Sequence, residues 1–254
     1  MSSPRFLISN VRSPVGRGIT QPLWADLSVV LKRNHQVNAP YCVPNEAICS
    51  EIGRFLGLPI PPGALTVRRE DPSQSYYASL NFNLEGELIP PLLPRLAVST
   101  WPQVCAGTLL FDILIANGDR HAQNLAINRS MNPYQLILFD HSHALFGSQL
   151  GEVSRRFSRL RSHLGVAEGT DPSGNRHCLL DHLHSDHHFR FWINRISLLP
   201  NYWIEEVCES MVGFGITEDE AHMGSDFLKD RRDHLVAILG ENQDDFAISN
   251  WSII

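Results

Sequence analysis

The stretch WPQVCAGTLLFDILIAN (101–117) constrains this chain more than any other, because it is apolar nearly all the way round. A helix with one apolar stripe lies on a surface, whereas a helix apolar on every face has to sit inside a core. Other elements must therefore pack on it from several sides. A chain of 254 residues with 43% hydrophobic content supplies the material, as one large domain or two small lobes. Asn117-Gly118 is a good stop for the helix. Asp112 interrupts the apolar run, and a carboxylate buried there needs a hydrogen-bonding partner. Bracing the loop that follows the helix would give it one.

Before the helix the pattern is strand-rich. Residues 5–33 read as strands: FLIS, a Gly/Pro turn region NVRSPVGRG, then ITQPLWA and LSVVLKR. NEAICSEIGRFLGLP (45–59) reads as a helix with Ile48, Ile52, Phe55 and Leu56 on one face. Asn45 suits its N-cap, Gly57 its C-cap, and Pro59 enforces the stop. ALTVRR (64–69) and YYASLNF (76–82) read as further strands, and the proline-rich 86–102 as a connector. After it, LAI (125–127) and LILF (136–139) are short strands around the polar turn RSMNPY. Residues 141–177 are loop-rich and 178–239 mostly helical. There PNYWIEEVCESMVGF and TEDEAHMGSDFLKDRRDHLVAIL form a helical hairpin across the turn at 213–216. The expectation is an α+β chain with a β-rich N-lobe over 1–95 holding one helix, and a mainly helical C-lobe over 96–254.

The loop after the buried helix carries the chemistry. NGDRHAQN (117–124) places Asp119 and Asn124 in a D-x-x-x-x-N step, and Asp140 ends the apolar strand LILF. Phosphoryl transfer from a nucleotide needs a carboxylate near the attacking hydroxyl and oxygen ligands for magnesium ions that bridge the phosphates. These three residues supply that set in that order. Taken singly, each would read as a turn residue or a strand-end cap. Lys32, in VVLKR, sits on a strand from which an ammonium could reach an α- or β-phosphate, and would otherwise be a strand-edge lysine. Glu46 or Glu51 on the following helix could pair with it. The upstream turn SPVGRGITQP, with Gly18, Thr20 and Gln21, could cover the phosphates with backbone N–H groups.

Composition excludes some alternatives. A net charge of −6 gives no reason to expect nucleic acid or an anionic membrane as partner. Cys42, Cys49, Cys105, Cys178 and Cys208 are scattered and lack CxxC spacing, which suits buried thiols in a reducing, cytoplasmic compartment. The start MSSPRFLISNVRSP has too short an apolar run for a signal peptide. In RHCLLDHLHSDHHF (176–189), His182, His184, His187 and His188 match no standard zinc spacing and are expected on a polar helix surface. SRRFSRLRS (154–162) reads as a solvated loop or, beside a phosphoryl-transfer site, as a dock for an acidic substrate or a phosphate. Ser13 and Thr20 are positioned for autophosphorylation.

These strings together resemble the core of the HipA-like kinases, a branch of the superfamily that includes the phosphatidylinositol kinases. NGDRHAQN is similar to that family's N-x-D-R-x-x-x-N loop, and LILFDHSHALF to its apolar strand ending in Asp-His. GITQP with VVLK resembles its phosphate loop and lysine strand. NEAICSEIGRFLGLPIPP resembles its Glu-bearing helix, and FLKDRRDHLVAIL the helix closing its second lobe. The resemblance spans roughly residues 13–239, with 70–100 and 144–176 unmatched. It implies a two-lobed protein-kinase-like fold using ATP and Mg²⁺. Asp119 would be the catalytic Asp, Asn124 and Asp140 the metal ligands, Lys32 the ATP lysine and Glu46 its partner. It implies a serine/threonine protein kinase. The alternatives are a nucleotide-binding pseudokinase acting as an interaction module, a lipid or small-molecule kinase, and a metal-dependent phosphohydrolase. Phosphatidylinositol kinases follow the loop with Asp-Phe-Gly where this chain has Asp-His-Ser. The toxin relatives carry a further N-terminal domain, so antitoxin pairing and operator binding are not expected here. The acceptor protein and the oligomeric state are left open.

Overall fold

The computed structural model describes residues 6, 8–16, 22–83, 91–129, 131–166 and 176–253. Strand β1 (Ile8–Pro14) pairs antiparallel with β2 (Leu23–Leu27), bringing Val11 opposite Ala25 and Pro14 opposite Leu23. A second antiparallel sheet has the order β3 (Val29–Lys32), β5 (Asp71–Leu80), β4 (Gly63–Arg68). Its register sets Lys32 opposite Tyr77 and Val29 opposite Leu80. The β-branched run VVLK suits a pleated strand, and the register aims Lys32 toward helix α1 (Cys42–Phe55).

Helix α1 starts three residues earlier than its sequence suggests, so Asn45 is not its N-cap. Asn45 lies inside the helix, fully buried, and spends its amide on another part of the chain. The C-terminal end is as read. Gly57 has φ +81, its N–H reaches Arg54 O, and Leu58 N–H reaches Gly53 O, which closes the last turn with a left-handed residue. Ile48, Ile52 and Leu56 are buried, while Phe55 is half-exposed.

The connector contains a short helix, α2 (Pro94–Thr100), which its prolines permit because Pro94 occupies the first turn. Helix α3 (Pro102–Leu114) is the axis of the helical part, and Cys105 through Leu114 are buried without a gap. It ends earlier than Asn117-Gly118. Ala116 takes the left-handed conformation (φ 50), with Ala116 N–H on Ile113 O and Asn117 N–H on Asp112 O. Strands β6 (Leu125–Asn128) and β7 (Gln135–Leu138) form a hairpin with Leu125 opposite Leu138. Helix α4 (Val153–Leu160) forms where a loop was expected. It buries Val153, Phe157 and Leu160 on one side, leaves Arg155 and Arg159 exposed, and half-buries Arg156 between them.

Helices α5 (Phe189–Ser197) and α7 (Glu218–Asp233) flank α3. The α3–α5 approach is close. A Cβ on Gly107 would stand 2.2 Å from the Trp192 ring, whose Nε1 donates to Gln103 O at 2.7 Å. Helix α6 (Asn201–Glu209) packs on α7 as the expected hairpin. Thr217 and Glu220 cap α7 reciprocally. The final helix breaks at His234 into α7 and α8 (Leu235–Glu241). No helix among the described residues is long and apolar enough to cross a membrane.

Candidate active site

The loop at 117–124 is built from beneath. Asp112, fully buried in α3, accepts from Arg120 Nε at 2.8 Å and Nη2 at 3.1 Å, and from Asn117 Nδ2 at 2.9 Å. His177 completes its shell. Its Nδ1 accepts from Leu179 N–H, so Nε2 carries the proton and donates to Asp112 at 2.9 Å. Burial alone would raise the Asp112 pKa, but the Arg120 charge and these hydrogen bonds outweigh it and hold the carboxyl well below the usual range. Arg120 then passes the support upward. Its Nη1 donates to Asn124 O at 3.1 Å and Phe139 O at 2.5 Å, so one guanidinium stitches the loop to the strand end that carries Asp140.

Above this brace stand the predicted residues. Asp119 accepts only through its backbone carbonyl, from Asn124 Nδ2 at 2.9 Å and from His121 N–H at 2.9 Å. Its carboxylate takes no hydrogen bond from the described residues. Burial raises its pKa, opposed by His143 and His121, with the nearby Asp140 charge raising it further. Such a carboxylate is a ready proton acceptor. Tying the Asn124 NH₂ to Asp119 O leaves its Oδ1 as the end a cation would take. Asp140 sits at φ 62, one of two non-glycine residues with positive φ among those described. Its Oδ1 accepts from Lys32 Nζ at 2.8 Å and Ser142 Oγ at 2.6 Å, which leaves Oδ2.

Lys32 joins this group to α1. Its Nζ lies 2.6 Å from Glu46 Oε1 as well as 2.8 Å from Asp140 Oδ1. Burial would lower the lysine pKa, but the two carboxylates outweigh burial and raise it. They keep the ammonium charged. Glu46 also accepts from His141 N–H at 2.6 Å. Glu51 faces away and pairs with Arg54. Of the two carboxylates considered on this helix, the structure brings Glu46 to the lysine.

Lys32, Glu46 and Asp140 form the polar end of a cavity of about 450 Å³. Val30, Ile60, Leu80, Phe82 and Phe139 provide its apolar walls. An apolar slot with a few convergent charges at one end is the usual form of a small-molecule site. Two hard oxygens, Asn124 Oδ1 and Asp140 Oδ2, suit Mg²⁺, which takes one or two protein oxygens and completes its shell with phosphate and water. Gly18, Thr20 and Gln21, and with them the expected phosphate loop, lie outside the described residues. Ser13 lies exposed in β1.

Asp112 braces the loop as expected, but sequence reasoning missed Arg120 as its partner, the apolar walls and Ser142. The Arg120 signal was present as a cation in the loop, eight positions from a carboxylate in an apolar helix. The walls had none, since Val30 and Leu80 come from two separated strands and Phe139 from the segment just after a third. The histidine-rich segment is turns and irregular chain up to His188, where helix was expected. Among the described residues no three His, Cys, Asp or Glu side chains gather around a metal-sized space.

Comparison with known proteins adds the fold. No protein-family model matches the chain, and no curated protein matches it. Among solved structures it is similar to the crystal structure of a Helicobacter pylori proinflammatory kinase, CtkA. The identity is 13% and the TM-score 0.50, over 93% of this chain and 95% of that one. The architecture, a small set of antiparallel strands with one helix leading into a helical body, is a kinase-like α+β fold.

Proposed function

We propose that this chain is an ATP-dependent phosphotransferase of the HipA-like kinase type, moving the γ-phosphate of Mg·ATP to a serine or threonine hydroxyl of a protein. The observation that carries the reading is Lys32, held between Glu46 and Asp140 at the charged end of an apolar cavity. A scaffold has no use for a lysine charged in this way. The kinase activity named for the H. pylori structure agrees with it.

Each group then has a task. The apolar walls take the adenine ring, and Lys32 binds the phosphates with its ammonium fixed by Glu46. Asn124 and Asp140 hold Mg²⁺, which neutralises charge on the phosphates when bound. Asp119 accepts the proton of the acceptor hydroxyl as its oxygen forms a bond to the γ-phosphorus. The bond from that phosphorus to the β–γ bridging oxygen breaks, and ADP leaves with the electron pair. Expected effects are large, because a positioned general base contributes on the order of 10²–10⁴ in rate.

The test is transfer of labelled γ-phosphate from Mg·ATP to proteins of a cell extract, or to the chain itself, by wild type and Asp119→Asn. Wild type should label a serine- or threonine-bearing protein, and Asp119→Asn should bind Mg·ATP with at least a hundredfold loss of labelling. An equal rate in both proteins would remove Asp119 from its role. Label that appears only in lipid or a small molecule would overturn the acceptor class.

A further inference from the structure

Helix α4 and the segment that leaves Asp140 enclose a second cavity, of about 420 Å³. Arg155, Arg156 and Arg159 line it, with Glu152 as the only carboxylate among the described lining residues. Three cations against one anion leave a surplus of two positive charges, and Glu152 already sits 3.5 Å from Arg155. Among the described residues the innermost cation has no counter-ion. Arg156 donates from Nε to Leu145 O at 2.9 Å and from Nη2 to Ala116 O at 2.7 Å, both carbonyls. Carbonyls satisfy N–H groups without cancelling charge.

Behind it Arg231 is in the same condition, fully buried and bonded to the carbonyls of Ile113, Leu160, His163 and Leu164. Burial and then the charge of Arg159 lower the Arg156 pKa to about 10. Burial and then the charge of Arg156 lower that of Arg231 to about 9. The backbone is also shaped around the inner arginine. Gly147 has φ +79, and a Cβ there would stand 2.9 Å from Arg156 Cδ. Only a glycine lets the chain lie flat on that stem.

We propose that this cavity binds the phosphate of a phosphorylated serine or threonine on a polypeptide partner. A phosphate monoester brings about −1.5 to −2 charges at pH 7 and three acceptor oxygens, which matches the surplus. Guanidinium forks bind such oxygens in pairs. A lone carboxylate would leave a positive charge unanswered. A membrane surface cannot enter a concave site, and the chain's net charge of −6 opposes anionic lipid. The occupant would also reach the catalytic segment. Asn45 of α1 clamps residues 142–147, donating to Ser142 O at 2.8 Å and accepting from Phe146 N–H at 3.0 Å.

This site goes beyond the transferase reading and does not depend on it, because its binding can be measured in the Asp119→Asn chain with no phosphate transfer. Three fluorescein-labelled degenerate peptide pools, centred on phosphoserine, serine and glutamate, are titrated and followed by anisotropy. The phosphoserine pool should bind at least tenfold tighter than the other two and weaken as salt rises. The double variant Arg155→Ala/Arg159→Ala, both exposed positions, should lose that preference with an unchanged Tm. Gly147→Ala, which displaces Arg156, should lose it too. Equal binding of the phosphoserine and glutamate pools, or full binding by the double variant, would overturn the proposal. So would phosphatidylserine vesicles that outcompete the phosphopeptides.

Discussion

Lys32 answers two carboxylates at once, and removing it affects each differently. Glu46 is buried, so Lys32→Ala leaves a carboxylate without its cation in the interior. Breaking a buried pair from one side costs about 3–5 kcal/mol, and the lower end applies because the lysine side chain keeps some exposure. Urea unfolding should show a loss of about 3 kcal/mol, and Lys32→Ala/Glu46→Gln should recover part of it. Asp119 makes the opposite prediction. Its pKa is raised, first by burial, so its contribution to stability is present below the unfolded carboxylate pKa and is lost as pH rises through the folded value. Asp119→Asn should therefore be the more stable protein at pH 7, with the advantage vanishing in acid. In the proposed transfer the same raised pKa should set the acid limb of the rate above an ordinary aspartate value. His143 lowers the Asp119 pKa, so His143→Ala should move that limb to higher pH. A limb that stays in place in His143→Ala would remove Asp119 as the titrating base. At this scale the sequence was informative for Asp119, Asn124 and Asp140, which share one short string and one strand end. It could not choose between Glu46 and Glu51, because that choice depends on the rotation of α1 against β3.

Helix α1 shows how an element can be read correctly and one of its residues wrongly. Asn45 has cap chemistry, and a good N-cap is worth about 1 kcal/mol. In the fold its amide bonds Ser142 O, Gly147 O and Phe146 N–H, all on the strap that follows Asp140. Asn45→Ala leaves those backbone groups without partners in the interior, and each costs about 1–3 kcal/mol. The expected loss is about 3 kcal/mol, together with weaker Mg·ATP binding because the Asp140 strap loosens. A loss near 1 kcal/mol with intact binding would return Asn45 to the role of a cap. Helix α4 was missed for another reason. Val153, Phe157 and Leu160 follow helical spacing, but three arginines among them and a fourth just beyond suggested solvent on every side. Arg156 and Arg231 are satisfied by backbone carbonyls, an arrangement that no local pattern announces.

Across the whole molecule, α1 belongs in sequence to the strands and in packing to both halves. Tyr41 Oη donates to Glu220 Oε1 at 2.6 Å, Asn34 Nδ2 to Phe214 O at 2.9 Å, and Arg195 Nε to Leu56 O at 2.7 Å. Phe55 packs at a tilt against Trp203, with ring centroids 4.5 Å apart. One apolar cluster runs from Tyr41 and Tyr77 through α3 to Ile248 without a break. The succession of strands and then helices was legible from hydrophobic periodicity, but this fusion was not, since it joins residues up to 180 positions apart. It has a thermodynamic consequence. With Glu46 held by a helix anchored on both sides, Lys32 is already in place, and a nucleotide in the cleft should stabilise the chain as one unit. At Mg·ATP a hundredfold above its Kd the gain is about 2.7 kcal/mol, or roughly 5–10 °C in Tm for a chain of this size. Calorimetry should show a single transition moving by that amount in wild type and in Asp119→Asn, and staying still in Lys32→Ala. Two transitions, of which nucleotide moves only one, would mean that α1 does not unite the halves and that the Lys32–Glu46 pair is free to open.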